Sequence, residues 1–232
     1  MLTMIIIITL RKYFPKIFKQ FNLKIQFTGI LLLCLILFPT SGFTQHYTYT
    51  VIKGNKQLGT LSAKCLKADK RITYSIWSEA KTGFIFNITV NVMIEEIFET
   101  EEMEQSTFIR KINGIQMIKN TVDKFKNGYV LKINGNDAKN ISNKINYSMG
   151  AMYFIEPENR QFVYSENYQQ FLPLLAMGKN HYLIKFPDGN KSYYTYNNGM
   201  CTEVEAHTKW AVLFFKLNAG PSSNGINTKT KY

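Results

Sequence analysis

Cys201, Glu203, Glu205 and His207 occupy every second position of one short stretch, CTEVEAH. Thiolate, carboxylate and imidazole are the donors that hold a divalent transition metal. In a β-strand, residues i, i+2, i+4 and i+6 leave the backbone on the same side. These four side chains would then share a face, with Thr202, Val204 and Ala206 on the other. Glu203, Glu205 and His207 are the weak metal candidates this pattern provides. The same alternation describes the wet side of any amphipathic strand. We adopt that second reading, with no metal and no cofactor.

A second concentration of chemistry is acidic. Glu95, Glu96, Glu99, Glu101, Glu102 and Glu104 lie within ten residues. Calcium needs oxygen ligands converging from a shaped loop. This run has no D-x-D-x-D-G spacing and no glycine, so it reads as a solvated strand end and hairpin tip. The chain has three histidines, His46, His181 and His207, and none sits in H-E-x-x-H. G-x-S-x-G, a phosphate-binding P-loop and a G-x-G-x-x-G following a strand are all missing. The reading is non-catalytic, with an enzyme using the Cys201–His207 strand face as a lesser alternative.

The elements that must carry these residues are β-strands. Asn113-Gly114, Asn127-Gly128, Asn134-Gly135, Asp188-Gly189 and Asn198-Gly199 separate apolar runs. Such dipeptides accept the positive φ that tight hairpin turns demand, so their recurrence predicts a meander. The clearest strand covers residues 84–94, where Phe84, Phe86, Ile88, Val90, Val92 and Ile94 share one parity. Shorter alternations cover 46–51, 71–76 and 129–133. A strand over 57–65 pairs with the first through Gly54-Asn55. Four more cover 182–186, 192–196, 201–207 and 210–217. Residues 147–158 break the pattern: Ser148 can cap a short helix bearing Met149, Met152, Tyr153 and Ile155, ended by Pro157. A second short helix or loop is expected over 166–177. The fold class is all-β: a single curved antiparallel sheet or partly open barrel, with one or two short helices.

The first 44 residues read as a secretory signal. Arg11, Lys12, Lys16, Lys19 and Lys24 precede the apolar run FTGILLLCLILF, and small or helix-breaking residues follow. That is the order of a signal peptide, and the run is shorter than the ~20 residues needed to span a bilayer. The earlier stretch IIIITL fits an upstream start codon assigned in error or a second hydrophobic element. Leu33 before Cys34 argues against a lipid-bearing cysteine. Five of the 28 basic residues and none of the 16 acidic ones fall in this segment, so 23 and 16 remain, a net charge of about +7. The remaining bases are scattered, and nucleic-acid binders gather theirs in a stripe. The expected layout is 1–44 signal, 45–218 one antiparallel β domain, and 219–232 a disordered tail. Cys65 and Cys201 then remain, and a disulfide and two free thiols both stay open.

Several short motifs resemble a family of exported bacterial proteins described only as a domain of unknown function, DUF6134. They are Tyr49-Thr50-Val51 with Gly54 and Leu58-Gly59, and the 99–103 hairpin leading to Asn113-Gly114. Tyr153-Phe154-Ile155-Glu156-Pro157, Tyr164-Ser165-Glu166, Phe186-Pro187-Asp188-Gly189 and Tyr194-Thr195-Tyr196 continue the series. The resemblance implies export and a curved antiparallel sheet, and brings no catalytic residue with it. The layout is also similar, more loosely, to the half-barrel carriers of lipoproteins. The expected role is an exported cell-envelope binding module for a lipid or other apolar small molecule, in the periplasm or at the surface of a Gram-negative-type bacterium. Met149, Met152, Tyr153 and Phe154 are the expected apolar lining. The alternative is a structural or protein-interaction protein of the envelope. No nucleic acid and no permanent membrane span after processing are expected.

Overall fold

The computed structural model describes residues 42–82 and 88–218. Residues 1–41 of the expected signal segment, the tail after 218, and Phe84 and Phe86 lie outside these residues, whereas Phe43 and Thr44 of that expected segment are the first residues of a strand. Fourteen strands form one antiparallel sheet: β1 (Phe43–Lys53), β2 (Lys56–Ala68), β3 (Arg71–Thr82), β4 (Ile88–Glu99), β5 (Glu102–Ile112), β6 (Ile115–Phe125), β7 (Gly128–Ile133), β8 (Asn136–Ile141), β9 (Phe162–Ser165), β10 (Gln170–Gly178), β11 (His181–Lys185), β12 (Lys191–Asn197), β13 (Met200–His207) and β14 (Val212–Leu217). The order across the sheet is β8 down to β1, then β14 down to β9. Two meanders are thus joined where β1 pairs with β14, Val51 opposite Phe215. The sheet does not close into a barrel, so β8 and β9 are its edges.

The expected turn chemistry sets these hairpins. Asn113 and Gly114 have φ of 50° and 80°, and Asn134 and Gly135 have 52° and 85°. Both residues of each pair therefore sit in the left-handed region, as a two-residue hairpin turn requires. The turns at 54–55, 113–114, 134–135 and 188–189 gather at one end of the strands, here the upper end. Those at 100–101 and 198–199 gather at the lower end.

Both meanders turn one face to a common core. Tyr47, Tyr49, Tyr74, Val122, Leu131, Val163, Leu174, Ile184 and Tyr196 belong to a single buried cluster. The chain passes from one sheet edge to the other through residues 142–161, and Ile145, Tyr147, Ala151 and Met152 of that segment are buried in the same cluster. The sheet is curled around its own crossover. No α-helix occurs among the described residues. The helix expected over 147–158 is one 3-10 turn, Ala151–Tyr153, and 166–177 is a turn followed by β10. The crossover stays irregular because its backbone groups take other partners. Tyr196 donates to Met152 O (2.9 Å), Tyr147 donates to Ile155 O (2.6 Å), and Glu156 N donates to Gly199 O (3.1 Å).

Tyrosine suits this interior. Its ring fills the core while its hydroxyl reaches a polar backbone atom that would otherwise be orphaned. Tyr49 donates to Cys201 O at 2.8 Å in the same manner.

A clasp holds the two meanders together. Gln169, in the turn between β9 and β10, donates from Nε2 to Thr121 O (3.0 Å) on β6 and Lys132 O (2.9 Å) on β7. Asn120 of β6 returns two bonds, from Nδ2 to Glu166 O (3.1 Å) and Asn167 O (2.8 Å).

Candidate functional site

The CTEVEAH strand does not present its four candidate ligands on one face. Thr195 pairs with Glu203 but Tyr196 pairs with Cys201, so Thr202 is an extra residue in β13. A bulge of this kind reverses the parity of the strand. Cys201 is fully buried in the core, and Val204 is buried with it. Glu203 pairs with Lys216 (3.1 Å), and Glu205 with His207 (2.6 Å). No group of three or more metal-type ligands converges among the described residues. Cys65 and Cys201 are free thiols. Burial pushes the Cys65 thiol up to about 11 and that of Cys201 higher still.

The acidic run holds one residue that is not solvated. Glu95, Glu99 and Glu101 are exposed at the β4–β5 hairpin, but Glu96 is fully buried. Its parity explains this, because Val90, Val92, Ile94, Glu96 and Phe98 alternate along β4 and Glu96 therefore faces the core. Ser148 donates to Glu96 Oε2 (2.5 Å), and Gly150 N donates to Oε1 (3.1 Å). A Cβ at Gly150 would come within 2.6–2.8 Å of that carboxylate, so the crossover has room only for glycine there. A second buried carboxyl, Glu166, lies beside Glu96, and neither of its side-chain oxygens has a hydrogen-bond partner elsewhere among the described residues. Burial first, and then the neighbouring Glu96, hold Glu166 well above the ordinary carboxyl range. Glu96 is raised by burial and pulled back by its hydrogen bonds with Glu166, Ser148 and Gly150. Of the two carboxyls, Glu166 is therefore the one that keeps its proton.

The interior divides along the strands. Toward the lower end it is filled: Phe154 stacks on Tyr47 and Tyr74 at 5.4 Å each, and Tyr153 meets Tyr49 edge-on at 5.4 Å. Toward the upper end the walls part into an open cleft with two lobes. One, about 390 Å³, lies among Val51, Leu58, Ala80, Val90 and Trp210. The other, about 350 Å³, lies among Ile94, Phe108, Met149, Phe186 and Ala206, with Glu166 also on its wall. Val92, Arg110, Thr208, Leu213 and Phe215 line both lobes, so Arg110 stands at their common boundary. Each lobe falls near the lower bound of the ~300–1,000 Å³ typical of ligand sites. Trp210, at the rim, is 88% exposed.

Of the four residues expected to line a pocket, Met149 is on the cleft wall. Met152, Tyr153 and Phe154 are packed against the filled half of the core. Arg110 was not foreseen at all. It lies on the inner face of β5, opposite Val92 and Ile118, and its Nε is buried with no hydrogen-bond partner among the described residues. A larger polar hollow of about 530 Å³ borders Asn143, Asn146 and Gln161. Its cations are already engaged: Lys144 with Glu102 (3.3 Å) and Arg160 over the Tyr147 ring (4.4 Å).

Residues 49–218 match the family model described as a domain of unknown function, DUF6134. The chain belongs to this family. No curated protein sequence matches it. Among solved structures, this DUF6134 chain is similar to a β-barrel-like protein of another domain of unknown function, DUF1849, from Brucella abortus. That similarity has 9% identity and a TM-score of 0.49, and covers 78% of this chain and 98% of the other. Among the described residues of this family member, no helix is long and apolar enough to cross a membrane.

Proposed function

We propose that this protein is a non-catalytic binding module of the bacterial cell envelope, and that its upper cleft takes an apolar, lipid-like ligand. One observation carries the reading. The curled sheet is packed solid below Glu96 and left open above it, and the open part is walled by Val51, Val90, Val92, Phe108, Leu213 and Phe215. An unfilled apolar concavity sacrifices the dispersion contacts that a packed core would make, unless a ligand supplies them. The export half of the proposal rests on the basic, apolar and small-residue order of the first 44 residues.

Native mass spectrometry of the protein purified from its own host tests the reading. An apolar molecule should co-purify and leave on denaturation. An environment-sensitive fluorescent fatty acid should bind one per chain and be displaced by that extract. Protein that arrives empty and takes up no probe overturns the proposal.

A further inference from the structure

Arg110 sets a condition on what the cleft accepts. It stands where the two lobes meet, between apolar walls that include Val92 and Phe215. A guanidinium keeps its charge at every physiological pH and presents five donors in a rigid fork. Buried Nε atoms are nearly always bonded, and this one has no partner among the described residues. The carboxylates nearby do not serve it. Asp188, on the cleft wall, already accepts from the Tyr168 hydroxyl (2.5 Å), the Asn190 side chain (2.8 Å) and the Asn190 backbone (3.0 Å). Glu166, fully buried beside Glu96, is held in its neutral form, and neither of its oxygens bonds Arg110. His207, at the rim, pairs with Glu205. The lobe toward the upper rim contains Lys53 beside Arg110, and no acidic residue lines it.

We propose that the ligand is an amphiphile with an anionic head, carboxylate or phosphate, bound by the Arg110 fork while its tail lies along the apolar walls. Fork geometry matches two oxygens of either head, and the apolar walls around it strengthen the contact. Lys53, flexible and exposed, adds charge from the mouth. This inference rests on the reading that the cleft takes an apolar ligand.

Calorimetric titration of the intact protein with dodecanoate, dodecyl phosphate and dodecanol, each below its micellar concentration, separates the two claims. The acids should bind at least about tenfold more tightly than the alcohol. The tighter of the two acids then identifies the head as carboxylate or phosphate. Arg110→Gln should erase the preference by bringing the acids down to the affinity the same variant shows for dodecanol, while Arg110→Lys should keep part of it. The Gln variant removes a partly buried charge whose Nε has no partner, so its melting temperature should match or exceed that of the native protein. If it does not fold, the Lys variant and the native head comparison still decide. Equal affinity of native protein for alcohol and acids, or an acid preference that survives Arg110→Gln, overturns the anionic head and leaves the apolar cleft standing. Failure of all three ligands to bind overturns both.

Discussion

A carboxyl group with no cation beside it survives in a protein core only as the neutral acid, or as an anion fed by several donors. Glu166 and Glu96 take one option each, and the arrangement links stability to pH. In the unfolded chain both titrate near about 4.3. Folded Glu166 titrates well above the ordinary carboxyl range, because burial and the Glu96 charge both oppose ionisation. Between those two values the folded protein keeps a proton that the unfolded chain has released. Its contribution is complete below the unfolded value and is lost as pH rises toward the folded one. Glu166→Gln stays neutral beside Glu96, so it should flatten that decline in urea midpoints measured from about pH 4.5 to 8. A native midpoint as flat as the variant's would rule out the retained proton. Glu96→Gln keeps one acceptor oxygen but sets an NH2 where Ser148 or Gly150 N now donates, and should cost about 1–3 kcal/mol at any pH in that range. The sequence held a signal for Glu96, since extending the parity of Val90, Val92 and Ile94 by one step reaches it. The density of neighbouring acids hid that signal by making the whole run look solvated. For Glu166 and Arg110 no comparable cue exists: their role depends on which strands the curl brings face to face.

Hairpins were legible because their cause is local. A left-handed φ at Asn113 or Asn134 is a property of the residue and its glycine neighbour. The crossover at 142–161 was misread for the converse reason. Met149, Met152 and Tyr153 have helical spacing, but their segment is shaped by distant acceptors and donors on β4, β12 and the turn between β12 and β13. The bulge at Thr202 likewise has no local marker, and it reversed the face assigned to Cys201. The clasp between the β9–β10 turn and β6–β7 is the element-scale feature most open to test. Gln169 and Asn120 bond backbone atoms of opposite meanders, four hydrogen bonds in all. Asn120→Ala and Gln169→Ala should each lower stability by about 1–2 kcal/mol, with the double variant losing less than the sum because the pair fastens one junction. Hydrogen exchange should quicken first in β6, β7 and β8. Protection lost uniformly across all strands would show that the clasp is not a separate closure.

At the scale of the whole molecule, the sequence pointed to a curved sheet or partly open barrel with an apolar lining. The structure packs the lower half of that curve and leaves the upper half open along the strand axis. No local pattern marks where the filled part ends, since that depends on the crossover entering only the lower half. The two halves should therefore respond to substitution in different ways. Met152 is fully buried in the filled half, so Met152→Ala leaves a void and should cost about 2–5 kcal/mol, with the ligand affinity of the folded protein unchanged. Ala80 faces the cleft between Gly59 and Val90 on neighbouring strands. Ala80→Phe occupies space that no side chain fills, adding apolar burial instead of crowding a packed core. Its melting temperature should hold or rise while affinity for the fluorescent fatty acid falls about tenfold or more. A variant that binds the probe as the native protein does would place the ligand elsewhere on the sheet, and one that fails to fold would show that the upper half is already tightly packed. Only an open cleft separates stability from binding in opposite directions at these two positions.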